Sequence, residues 1–134
     1  MTPNQIAALR RISGTMLAAT SARLAALRMR EEEVLTRISI LDAALRDRAA
    51  LASAEDPTLR AGVDLRWQIW VEQNRSTLLA AQARLRAAME EERMALRRDF
   101  GRDHVLKVLE TEAIRRTRRL ALRRAWHGGD VQAS

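Results

Sequence analysis

Two histidines, two glutamate triplets and a run of arginines are the side chains that could do chemistry in this chain, and their spacing narrows what that chemistry can be. His104 and His127 stand far apart, and neither has a second histidine or a glutamate at the three- or four-residue spacing that puts two ligands on one helix face. Asp103 is adjacent to His104 in sequence, so on a helix the two point to different faces. Glu31-Glu32-Glu33 and Glu90-Glu91-Glu92 read as solvated or ion-paired faces rather than metal sites. With no cysteine there are no thiolate ligands, disulfides or thiol nucleophiles, and Gly128-Gly129 follow a helical pattern instead of opening one, so no phosphate-cradling loop is present. No catalytic, cofactor-binding or metal-ligating residue is expected, and the chain reads as a non-enzyme without a cofactor.

Binding is the remaining chemistry, and two segments could carry it. Residues 93–124 hold eleven basic groups against four acids, which accounts for the whole net charge of +7. Of the 24 basic residues only Lys107 is lysine, a bias that with so much alanine reflects base composition more than chosen guanidinium chemistry. From Ala113 to Ala125 a helical projection puts Ala113, Ile114, Thr117, Leu120 and Ala121 on one face, and Arg115, Arg116, Arg118, Arg119 and Arg123 opposite, with Arg124 beyond. Such a basic amphipathic helix suits an acidic protein surface, nucleic acid or an anionic membrane. No stacking aromatics interleave the arginines, and only Ile114, Leu120 and Trp126 could insert into lipid. A merely solvated arginine face is the plain alternative. The second segment is Leu65-Arg66-Trp67-Gln68-Ile69-Trp70-Val71, where Trp67 and Trp70, with Val63, form an apolar patch. Tryptophans are typical interface anchors, so Trp67, Trp70 and Val71 are candidate partner contacts; alternatively the rings cap the helix seam against Leu51 and Leu59.

These segments need elements to position them, and the composition offers helices alone. Of 134 residues 24 are Ala, with Leu, Arg and Glu abundant and only five Gly, two Pro and one Phe, which excludes turn-rich sandwiches and barrels. Thr2-Pro3-Asn4-Gln5 is a helix start: Thr as N-cap, Pro at the first helical position and Gln closing a capping box. A seven-residue repeat follows at Leu17, Leu24, Glu31, Ile38, Leu45 and Ala52, interleaved with Thr20, Leu27, Val34, Leu41 and Arg48, and continued upstream less regularly by Ile6, Leu9 and Met16. Pro57 and Gly62 mark the turn, set at about 54–62, although Asp56-Pro57 could equally cap a short extra turn. A second seam runs through Val71, Leu78, Leu85, Glu92, Asp99, Leu106, Ala113 and Leu120, with Arg75, Gln82, Met89, Leu96, Asp103, Glu110 and Thr117 between. The expected architecture is all-α: two long helices, about 3–53 and 63–126, in an antiparallel coiled-coil hairpin, ending at Gly128-Gly129 before a frayed tail, 128–134. A tip near Pro57 makes partner numbers add to about 115, pairing Arg23 with Glu92, Glu31 with Arg84 and Gly14 with Gly101, and leaving the helix from Arg115 onward unpaired.

This layout, with a turn before a Trp/Ile-rich stretch and Leu106-Lys107-Val108-Leu109-Glu110-Thr111-Glu112 ahead of Arg115-Arg116, resembles the flagellar export protein FliJ family and its counterparts in virulence type III secretion. The resemblance implies a non-enzymatic coiled-coil stalk or escort whose paired termini enter the ring of an export ATPase and whose second helix, near the tip, contacts the export gate. By position it gives the ring-facing role to Ile6, Arg10 and Arg11 with Arg115 to Arg124, and the gate-facing role to Trp67, Trp70 and Val71. The near-absence of Lys, and Val108 and Thr111 within the Glu110 segment, depart from the family pattern.

The expectation is thus an accessory protein of an export apparatus with protein partners. A nucleic-acid-associated helical protein and a homodimeric coiled-coil adaptor are the rival readings. The start lacks a basic region ahead of an apolar stretch and no window is apolar enough to span a membrane, so a cytoplasmic place is expected, at the inner face of the membrane if its partners sit there.

Overall fold

The computed structural model describes the backbone of residues 1–52 and 57–133, and the side chains of residues 1–51 and 65–129. Among the described residues two helices make up the fold, α1 (Pro3–Ala52) and α2 (Pro57–Ala133), packed against each other as an all-α helical hairpin. The capping box at the start of α1 forms as its residue types require. The Gln5 N–H donates to Thr2 Oγ1 at 3.3 Å, and the Thr2 N–H donates to Gln5 Oε1 at 3.0 Å.

Of the expected turn, residues 54–56 lie outside the described residues, while Pro57 to Gly62 are helical. The second helix therefore begins at Pro57 rather than at residue 63. Proline at a first helical position loses no hydrogen bond, because the first amides of a helix have no partner in any case, and its fixed φ suits the helix. At the other end α2 continues through Gly128 and Gly129 to Ala133, past the expected stop. No described glycine has a positive φ, so neither provides the left-handed cap that would end the helix.

Contacts between the helices gather into two units, one of residues 1–22 with 94–134 and the other of residues 23–93. In the second unit the helices run antiparallel with Arg23 beside Glu92 at 3.2 Å, Glu31 beside Arg86 at 3.7 Å and Asp42 beside Arg75 at 3.0 Å. Glu31 thus meets Arg86 rather than Arg84. Its buried core is apolar: Leu24, Ile38, Val71 and Met89, all on the predicted heptad lines.

The first unit is built otherwise. Its buried residues are Ile6 together with Ser13, Thr20 and Asp103, so polar groups occupy positions that a coiled coil gives to leucine. The Thr20 hydroxyl meets Asp99 Oδ2 at 2.6 Å, Arg10 meets Glu110 at 3.3 Å, and Asp103 is held by Lys107 one turn on at 3.2 Å. The carboxylates at the seam positions Asp99, Asp103 and Glu110 are thus each partnered. Pairing Arg10 with Glu110 and Thr20 with Asp99 makes partner numbers add to 119 or 120, about one helical turn from the expected register. Gly14 and Gly101 do not face each other across the seam, since both are exposed and an added Cβ at either would meet nothing within 4 Å.

The seam upstream of Leu17 also differs from expectation. Arg10 and Ser13 continue the heptad, whereas the apolar Leu9 and Met16 lie one position off it and are exposed. The strict repeat of seven, not apolarity, decides which residues are covered here.

Candidate functional site

The basic end of α2 belongs to the first unit. This unit carries twelve basic and five acidic residues, hence all of the net +7, while the second carries twelve of each. Three of the five acids, Asp99, Asp103 and Glu110, are engaged in or beside the seam, which leaves the outward charge of the unit more cationic than its sum.

Opposite the start of α1, coverage of α2 ends. Ala113 is half-buried, and every residue from Ile114 to Gly129 is exposed although the backbone stays helical. Arg115, Arg116, Arg118, Arg119, Arg123 and Arg124 are all among them, with Ile114 and Leu120 exposed as apolar members of the same stretch. Arg115, Arg116 and Arg119 surround Glu112 in a shallow hollow, a dense cationic cluster in which one carboxylate is outnumbered. Leu120 sits differently from Ile114: it lines a cleft of about 400 Å³ together with Met1, Pro3, Ile6, Leu109 and Ala113. The seam positions Thr117 and Leu120 predicted by periodicity are thus exposed and line this cleft. Sequence reasoning passed over a third feature, the pairing of Leu122 and Trp126 with Arg119, Arg123 and His127 on the other side of this helix. The four-residue spacing of Leu122 and Trp126 was its signal.

Of the terminal residues assigned a partner-facing role, Arg11 is exposed, but Ile6 is buried in the seam and Arg10 is ion-paired with Glu110. Packing against α2 already uses both.

The tryptophan segment divides. The Arg48 guanidinium lies 4.9 Å from the centroid of the Trp67 ring, a cation–π contact between α1 and α2 that holds this ring half-buried. Trp70 is 55% exposed, and Leu65 and Ile69 are exposed as well. Val71 has no exposed surface, so it is a core residue and offers nothing to a partner. Its place in the heptad of Leu78 and Leu85 dictates this, since the seam returns at every seventh residue, whereas Trp70, one position away, points off it. Leu51 is exposed, and the side chains of Val63 and Leu59 lie outside the described residues.

Among the described residues no group of three or more His, Cys, Asp or Glu gathers into a metal-ligand cluster, and no helix is long and apolar enough to cross a membrane. What the arrangement can do chemically is present cationic and apolar side chains from a helical support. Compared with protein-family models, curated proteins and solved structures, the chain finds no match.

Proposed function

We propose that this protein is a non-enzymatic accessory stalk or escort protein of a flagellar or related type III export apparatus, the role its FliJ-like layout implies. The observation that supports the reading is the helical continuation of α2 past the start of α1, with every residue from Ile114 to Gly129 exposed and six arginines among them. A helix that projects without an intramolecular partner is suited to entering an acidic opening, where Arg115, Arg116, Arg118, Arg119, Arg123 and Arg124 give charge complementarity and Ile114 and Leu120 supply apolar contact. An export ATPase ring is the partner assigned to this end. Trp70, exposed near the start of α2, is assigned to the export gate, with Trp67 supporting it from beneath Arg48.

Reversing Arg115, Arg118 and Arg119 to Glu tests the assignment. The variant should keep its helical circular dichroism and lose co-purification with the ATPase-type partner. If it still binds that partner and loses only retention on nucleic acid, the export reading falls and a nucleic-acid role replaces it. Nucleic-acid binding that neutralises several phosphates would also drop ~10³-fold or more between 50 and 200 mM salt.

A further inference from the structure

The off-heptad apolar residues of α1 line a groove that the export reading does not use. Leu9, Ile12 and Met16 follow one another at three- and four-residue spacing, so they form a stripe along one flank of α1, and Ile12 is 57% exposed. Facing them across the groove are Leu106 and Arg102 of α2, with Ser13 and Asp99 at its floor. On α2 the stripe Arg102, Leu106, Leu109, Ala113, Arg116 and Leu120 keeps the same alternation of four and three, and its later members line the cleft beside Met1, Pro3 and Ile6. A hairpin flank of this kind, apolar along its walls and exposed along its length, is the shape into which an amphipathic helix packs.

Charge selects the occupant. Arg102 and Arg116 stand along the groove, and the two acids that reach it are already matched: Asp99 accepts the Thr20 hydroxyl, and Glu112 lies among Arg115, Arg116 and Arg119. The surrounding unit holds twelve basic residues against five acidic ones, so a second copy laying the same flank against this one would bring like charge to like. We infer that this groove binds an acidic amphipathic helix of another protein, whose apolar stripe covers Leu9, Ile12, Met16 and Leu106 and whose flanking carboxylates meet Arg102 and Arg116. This surface borders the projecting arginine helix and shares Arg116 with it, but its apolar anchors Leu9, Ile12, Met16 and Leu106 lie outside that helix and do not depend on the export assignment.

The test uses the full chain and two synthetic helical peptides that share a leucine stripe at 3-4 spacing, one flanked by glutamates and the other by lysines. The glutamate peptide should bind and shift the methyl NMR signals of Leu9, Ile12, Met16 and Leu106, whereas the lysine peptide should not bind. Replacing Ile12 and Met16 together by Ser, both exposed and therefore tolerant of the change, should weaken the glutamate peptide about tenfold or more, the loss expected of anchor residues, with helicity unchanged. The Arg115/Arg118/Arg119→Glu variant should retain most of this binding, which separates the groove from the projecting helix. The proposal is overturned if the glutamate peptide fails to bind, if its shifts fall only on residues 114–126, or if the double Ser variant binds it as the parent does. It is equally overturned if sedimentation shows a dimer that the double Ser variant abolishes, because the groove would then hold a second copy.

Discussion

The hydroxyl of Thr20 lies 2.6 Å from Asp99 Oδ2 and 3.0 Å from the carbonyl of Met16, yet it has one proton to give, and the shorter contact to the carboxylate takes it. Thr20 is 1% exposed, so this pair fixes α1 against α2 where a leucine layer would ordinarily do so. Changing Thr20 to Val keeps the shape and removes the donor, and should cost about 1.5–3 kcal/mol, the range for a hydrogen bond to a charged group. The double change Thr20→Val with Asp99→Leu should recover that loss or exceed the parent in stability, because an apolar pair replaces a desolvated polar one. Urea denaturation of the four members of this cycle measures it, and a double variant less stable than both singles would refute it.

Gly14 and Gly101 interrupt their helices without serving a close approach, for the space beside each is open. Replacing either with Ala should raise stability by about 1 kcal/mol, and the two gains should add. Thermal melting gives the sign directly; a loss at either site would mean that the backbone there is in contact with something.

The tryptophans should separate in solution. Trp67→Ala removes a half-buried ring and its contact with Arg48, and should destabilise the chain by about 1–3 kcal/mol. Trp70→Ala should stay within about 0.5 kcal/mol of the parent, as surface changes do. Acrylamide quenching of single-tryptophan variants offers an independent check: Trp70 and Trp126 should be quenched readily and Trp67 poorly.

Val71→Ala should cost about 2 kcal/mol through lost burial and the cavity left behind, while leaving partner binding at the start of α2 intact once the chain is folded. A variant with normal stability and impaired binding would instead place Val71 at an interface.

The repeat of seven made most of this legible before any coordinates. From Leu17 to Arg48 and from Val71 to Ala113 the predicted lines are the covered faces, because a 3-4 spacing has a single way to meet a partner helix. Pro57 was harder, since the same residue breaks a helix from inside and begins one from outside, and its neighbours do not say which. The projecting stretch was legible from its charge and from the short reach of α1, although Leu120 turned out to line a cleft. The groove of Leu9, Ile12 and Met16 is not legible in the sequence, because apolar residues one position off the heptad look like seam residues. That Arg10, Ser13 and Thr20 hold those places follows from phase alone, and their chemistry argues against it.

The contrast between an apolar core of Leu24, Ile38, Val71 and Met89 in one unit and a core of Ile6, Ser13, Thr20 and Asp103 in the other reaches into how the protein responds to its surroundings. Hydrophobic cohesion fades on cooling and strengthens with salting-out ions, whereas the Arg10 and Glu110 contact weakens as ionic strength rises. Cold therefore acts first on the apolar unit, whereas salt acts on the ion pairs of both, Arg10 with Glu110 in one and Arg23 with Glu92, Glu31 with Arg86 and Asp42 with Arg75 in the other. A melting temperature of this chain therefore belongs to the ionic strength at which it is read.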